Sequence, residues 1–353
     1  MDLMSVRGPW LVAWIAAISA ASLGGCQHHR AVAMPGQPTL TRISPDSAMA
    51  PAPRNQAGLI VGSPDGGYSR FDLDADARAT QRGTFLLPDT EGISRRIYDA
   101  EPGALLVEHY DPPLSVPSCP PASRGCGAGN VGPSEVDLLN PDGSRVAFPA
   151  AKNECSAAIV AHRSTPTVLT ATGVAHGPNG VTAIQLVTPT GQPRVVMEVT
   201  RLEACGRSVA ISSDGSKVAI PTGNPDDGKR GEVITARLDG SRNQQSVHFA
   251  TGAATPVRVV WSPDGNQLAM ITRQKRIIGD TDYGIYRVGV GSSNGGTVHY
   301  FSTKVDEQTL AWLSPHQLLV GNAAKYVIID PTTGSQHVPS GLQGFVLTPV
   351  RGS

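Results

Sequence analysis

The stretch Val257–Thr272, V-R-V-V-W-S-P-D-G-N-Q-L-A-M-I-T, constrains the chain more than any other. Two alternating apolar runs flank Ser262-Pro263-Asp264-Gly265. Proline presets φ, aspartate bonds its own backbone and glycine accepts positive φ, so this tetrapeptide predicts a β-hairpin. The signal recurs. Ser212-Ser213-Asp214-Gly215 stands between similar runs, with Asp214 50 residues before Asp264. Trp312-Leu313-Ser314-Pro315 follows, with Pro315 51 residues after Asp264. A hairpin recurring at that period marks a β-propeller.

Two interleaved turn series give the strand count. One runs through Pro102-Gly103, Ser164-Thr165, Asp214-Gly215, Asp264-Gly265 and Pro315-His316. The other runs through Asp142-Gly143, Thr190-Gly191, Asp239-Gly240, Gly291-Ser292 and Thr333-Gly334. Together they describe units of four strands, A to D, and five such units are nearly complete. The ends supply a sixth. Gly58–Gly62, Tyr68–Leu73 and Thr84–Leu87 read as strands B, C and D without an A, and Gly344–Thr348 is a lone strand that fits the gap. Such closure removes the open edges a sheet must otherwise protect. The expected fold is all-β, a propeller of six four-stranded antiparallel blades over residues 57–353, with seven blades as the alternative count.

The hairpin W-S-P-D-G-N-Q-L-A resembles the repeat of TolB-type propellers, whose blades carry S-P-D-G before an apolar strand. The resemblance covers roughly residues 58–350 and is closest in blade five. Blade four has Ser213 in place of the proline, and blade six lacks Asp-Gly. It implies the propeller architecture. TolB proteins carry an additional N-terminal domain where this chain has a tether, so the likeness is to the repeat, not to TolB itself.

Arg7 precedes a short apolar run, Trp10–Ile18, placed as in a signal peptide and ending in Leu23-Gly24-Gly25-Cys26. These residues resemble a bacterial lipobox, in which the cysteine thiol takes the diacylglycerol. Residues 1–25 are therefore expected to be a lipoprotein signal peptide and 26–56, rich in proline, a lipidated flexible tether. The expected address is the bacterial cell envelope, lipid-anchored and extracytoplasmic. Gln27 after the cysteine favours the outer membrane if two membranes are present. Export to an oxidising compartment gives the remaining cysteines, Cys119, Cys126, Cys155 and Cys205, a reading as two disulfides.

Lys+Arg and Asp+Glu balance at 29 each, and aromatics are 5%. Neither a clustered basic face nor stacking platforms for nucleic acid are present. A nucleophile elbow, HExxH, Walker, dinucleotide and EF-hand motifs are absent. In a four-stranded blade the A–B and C–D turns lie at one face of the disc, and the B–C and D–A connections at the other. The longer segments, 111–133, 173–180, 222–231 and 271–283, are of the second kind, as are most acidic connections. Elaborated loops on a rigid scaffold concentrate function. The binding candidates are therefore Glu154, Glu203, Asp226, Asp227, Arg276 and Asp306. The leading expectation is a monomeric, non-enzymatic scaffold without cofactor that binds a protein or envelope component. The alternative is a calcium-dependent, lactonase-like hydrolase whose metal is held by Glu91, Glu154, Glu203 and Asp306, since calcium takes several oxygen ligands.

Cys155 and Cys205 precede matching turns in neighbouring units, and Cys119 and Cys126 share one connection. The expected pairs are 119–126 and 155–205. Peptide mapping under non-reducing conditions checks this, and any cross-pairing would overturn the blade register at these positions.

Overall fold

The structure is a computed structural model. It describes Thr41–Val350 apart from residues 54–55, 63–66, 88–94, 111–133, 150–153, 162–164, 174–180, 201–208, 223–230, 240–244, 249–253, 279–280, 304–308 and 323.

The chain enters through a short helix, α1 (Pro45–Met49). Ser44 caps it by accepting from the Ser47 N–H at 3.2 Å, and Pro45 sits in the first turn, where its missing N–H costs nothing. Strands then follow in order of four. Blade one contains β1 (Ala57–Gly62), β2 (Tyr68–Leu73) and β3 (Ala79–Phe85). Blade two contains β4 (Arg95–Glu101), β5 (Ala104–Tyr110), β6 (Ser134–Leu139) and β7 (Arg145–Phe148). Blade three is β8 (Glu154–Ala161), β9 (Thr167–Gly173), β10 (Val181–Val187) and β11 (Arg194–Thr200). Blade four is β12 (Ala210–Ile211), β13 (Lys217–Pro221), β14 (Glu232–Arg237) and β15 (Gln245–His248). Blade five is β16 (Thr255–Trp261), β17 (Gln267–Ile278), β18 (Thr281–Ser292) and β19 (His299–Phe301). Blade six is β20 (Thr309–Ser314), β21 (Gln317–Asn322), β22 (Lys325–Ile329) and β23 (Gln336–His337). The last strand, β24 (Phe345–Val350), returns to blade one and pairs antiparallel with β1, from Gly58↔Val350 to Gly62↔Phe345. The protein is a six-bladed β-propeller closed by its C-terminal strand. A single parallel bridge, Val350↔Ala100, joins blades one and two into one eight-stranded sheet.

The core is divided among the blade interfaces. Successive residues of a strand face opposite neighbours, so Leu318 and Val320 pack toward blade five while Leu319 packs toward blade one. Similarly, Val218 and Ile220 face blade three and Ala219 faces blade five. Polar links cross the same seams. Trp261 Nε1 donates to the Ala210 carbonyl at 3.1 Å, and Trp312 Nε1 repeats the contact one blade on, to Val260 at 3.3 Å. Buried Asp99 accepts from the Ile159 N–H at 2.9 Å, tying blade two to blade three. Thr309 Oγ1 donates to the Val346 carbonyl at 3.2 Å, tying blade six to the closing strand.

Three expectations need correction. The stretch expected as tether is folded from Thr41. Thr84 exchanges backbone bonds with Ile43 (2.8 Å) and Thr41 (3.0 Å), and Ala48 and Met49 lie at 0% exposure between blades one and two. Apolar burial outweighs proline-rich composition here. Blade one's outer strand begins at Ala79, not Thr84, because Gly83, Gln81, Thr80 and Ala79 continue the ladder against β2. Arg273–Arg276 is strand, not loop, since β17 and β18 pair as far as Ile278↔Thr281.

The recurring turn is held by its own side chains. Ser262 Oγ donates to Asp264 Oδ1 at 2.5 Å and accepts from the Gln267 N–H at 2.9 Å, and Gly265 takes φ 70°. Blade four repeats this with Ser212, Asp214 and Lys217, and there Ser216 adds a hydroxyl donor at 2.7 Å and its N–H at 3.0 Å. The Ser212 hydroxyl, then the Ser216 hydroxyl and N–H, hold the Asp214 carboxyl down to about 2 against a small opposing effect of burial.

Two outcomes follow for stability. Met49→Ala removes a fully buried side chain and is expected to cost about 2–5 kcal/mol in chemical denaturation; a change below about 1 kcal/mol would show that α1 is dispensable. Asp214 is depressed when folded, so its stabilisation is complete above the ordinary carboxyl value near 3.8 and is lost as pH falls toward about 2. Acid unfolding of Asp214→Asn should therefore be flatter than that of the parent between about pH 4 and 2. Superimposable acid transitions would remove the assigned role.

Candidate functional site

The two faces of the disc differ in what their polar groups do. At the A–B and C–D face several carboxylates are consumed by their own turns. Asp142 accepts from the Ser144 N–H at 2.8 Å, and the Ser144 hydroxyl and N–H lower its carboxyl. The Ser262 hydroxyl does the same for Asp264, and the Thr332 N–H, at 2.8 Å, for Asp330. Asp239 pairs with Arg237 at 2.9 Å within its turn. The Asp-Gly pairs at 142, 214 and 264 are turn formers, with each glycine at positive φ. Such groups shape the backbone, and little of their hydrogen-bonding capacity is left for a ligand.

The opposite face is where the B–C and D–A connections leave. None of the sequence-derived site residues has its side chain among those described. Cys26, Glu91, Cys119, Cys126, Glu203, Cys205, Asp226, Asp227 and Asp306 lie outside the described residues, and Glu154, Cys155 and Arg276 are described only as strand backbone. The register places Glu154 at the first residue of inner strand β8 and Arg276 in β17 opposite Tyr283. Among the described residues no three His, Cys, Asp or Glu side chains come together.

What the sequence did not signal is the placement of exposed apolar groups. Five large ones stand out among the described residues: Leu86, Val195, Tyr286, Val338 and Phe345. Four belong to the B–C and D–A side. Leu86 follows outer strand β3 and Val338 follows β23, both entering D–A connections. Phe345, 47% exposed, is the first residue of inner strand β24, where a D–A connection enters. Tyr286 pairs with Arg273 in β17, level with the start of inner strand β16 at Thr255. Val195 alone sits near a C–D turn, beside the start of β11. Four of five on one side of the disc is a bias toward that side.

A second unsignalled feature is a buried ionic group in blade one. Arg70, 2% exposed, donates to Asp72 at 3.0 Å and to the Ala48 carbonyl at 2.8 Å, and Arg82 donates to the other Asp72 oxygen at 2.6 Å. Burial lowers the Arg70 pKa, opposed by the Asp72 charge and hydrogen bond. The guanidinium lies over Gly58, where any side chain would collide with it. This cluster seats α1 against the blade. Its trace in the sequence is two charges two residues apart, Arg70 and Asp72, on one face of an otherwise apolar strand.

No protein-family model and no curated protein matches the chain. Its folding pattern is similar to solved structures. A putative TolB from Agrobacterium tumefaciens is 13% identical over 83% of this chain and 91% of that one, with a TM-score of 0.49. An oligogalacturonate lyase in complex with manganese is 15% identical over 84% and 75%, with a TM-score of 0.47. The β-propeller domain of Cps50 (Swd1) from Myceliophteria thermophila is 13% identical over 82% and 85%, with a TM-score of 0.42. At these identities and scores the likenesses carry no argument about activity, and the propeller rests on the blade topology itself.

Proposed function

We propose that the chain is a lipid-anchored, extracytoplasmic binding scaffold whose B–C and D–A face holds a protein or another envelope component. The observation that carries the reading is the gathering of Leu86, Tyr286, Val338 and Phe345 on the face that also bears the long connections. The opposite face spends Asp142, Asp214, Asp264 and Asp330 on its own turns. Cys26, in the lipobox-like Leu23-Gly24-Gly25-Cys26, supplies the anchor in this reading, and Asp226, Asp227 and Arg276 contribute charge on the binding face.

The experiment uses the full chain in native membranes. A photo-crosslinking phenylalanine analogue at Phe345 or Tyr286 should give a discrete adduct, and the same analogue at Val195 should not. Charge reversal at Asp226, Asp227 and Arg276 together should weaken that adduct. Reversal at Asp76, on the opposite face, should leave it unchanged. Asp264 is unsuited to that comparison because its carboxylate closes its own turn. Adducts from Val195 alone would place the binding face on the other side. Cys26→Ser should release the protein from membranes or leave it unprocessed; unchanged retention and mass would remove the lipid anchor.

A further inference from the structure

Blade five departs from the others in one respect. Elsewhere strands B and C run five to seven residues, but β17 and β18 run twelve each. They stay paired from Gln267↔Ser292 to Ile278↔Thr281. Inner strand β16 accompanies β17 only as far as Arg273, and outer strand β19 accompanies β18 only at Val288–Val290. Gln274–Ile278 and Thr281–Ile285 thus continue as a two-stranded arm, with no further strand on either side among the described residues, and the outer edge of β18 stays unaccompanied through Arg287. Five residues at about 3.3 Å each make it roughly 16 Å long. Its tip is a B–C connection, so it leaves from the face proposed above to bind.

An unaccompanied strand edge presents N–H and C=O groups at every second residue, a template for an added strand. Proteins commonly block such edges with proline or a bulge, yet no proline occurs between Asp264 and Ser314 and the arm's register runs without a shift. By sequence its charge is one-sided: residues 273–287 carry Arg273, Lys275, Arg276 and Arg287 against Asp280 and Asp282. Two such edges repel one another, which disfavours a second copy of this chain as occupant. Tyr286, 43% exposed, and exposed Arg287 are successive residues and so belong to opposite faces of the ribbon.

We propose that the β18 edge, Thr281–Arg287, takes up an extended acidic segment of a partner protein as an added strand, with an apolar residue beside Tyr286 and a carboxylate beside Arg287. This deepens the scaffold reading and rests on it.

The test uses the purified full chain and three short labelled peptides: one alternating valine and glutamate, one alternating valine and lysine, and the first with alternate backbone nitrogens methylated. The acidic peptide should bind in fluorescence anisotropy. The basic and the methylated peptides should bind at least about tenfold more weakly, the first for charge and the second for the lost ladder. Arg287→Glu, checked for an unchanged thermal transition, should reverse the preference between the charged peptides. Binding indifferent to methylation, unchanged by Arg287→Glu, or absent for all three peptides overturns the added strand. Binding of phosphatidylglycerol-containing vesicles that is lost in Arg287→Glu, with no peptide binding, overturns it in favour of a lipid surface. Crosslinks from Phe345 in native membranes would persist in every one of these failures if the scaffold reading alone is sound.

Discussion

Each blade of this propeller is apolar on both faces, and the rest of the structure depends on that. A sheet with one wet face tolerates its neighbours loosely, whereas a two-faced blade must meet a partner on each side. Alternation along single strands meets that demand. Leu105 and Val107 turn toward blade one, while Ala104 and Leu106 turn toward blade three. A slip of one residue would exchange these sets and misfit two interfaces at once, so the register is specified twice over. The Trp261 and Trp312 indoles add direction to this packing, since each finds its acceptor only when its blade sits at the right height against the preceding one.

Blade one bears the cost of closing the ring. Its sheet is assembled from β24 at the C-terminus and β1–β3 near the N-terminus, pairings that span most of the chain. Long-range pairing of that kind is entropically late in folding. The seam between blades one and two is also the one where an extra segment intrudes, with Met49 and Ala48 filling space among Ile60, Phe85, Ile97 and Leu105. A buried arginine is expensive unless its partners are well placed. Arg70 meets that condition by sharing Asp72 with Arg82 and giving its remaining reach to the Ala48 carbonyl. The ionic group thus fixes where α1 docks, in a place where apolar contacts alone would allow it to slide.

The blades were legible because their signal is local. Ser262-Pro263-Asp264-Gly265 contains every atom needed for its reversal, down to the hydroxyl and carboxylate that hold each other. The first blade's missing strand was legible for a topological reason, since an unclosed ring leaves an edge. Features set by distant partners were not. Ser44-Pro45-Asp46 serves equally as loop and as helix start, and only burial of Met49 decides between them. Arg70 is ordinary in the sequence until Gly58 is seen to make room for it. The arm of blade five was hidden because Arg273-Gln274-Lys275-Arg276 has loop-like polarity, while its pairing comes from the opposing Tyr283–Tyr286 segment. The candidate face was legible in loop lengths, but the apolar residues that mark it depend on which strand end reaches the surface.

The two faces divide the labour of the disc through the same hydrogen bonds that form the turns. At the A–B and C–D face the turns at Asp214 and Asp264 hold themselves by their own side chains, and a carboxylate already holding a hydroxyl and an amide gains little by meeting a ligand. On the other face connections can lengthen at small entropic cost while the blades beneath stay fixed. Blade five shows the limiting case. Its B–C connection has not become a longer loop but a longer ladder, paired as far as Ile278↔Thr281. A loop must be ordered when a partner arrives, and that ordering subtracts from affinity. A paired arm has already met that cost during folding, so the edge it offers is set in place before any partner strand is present.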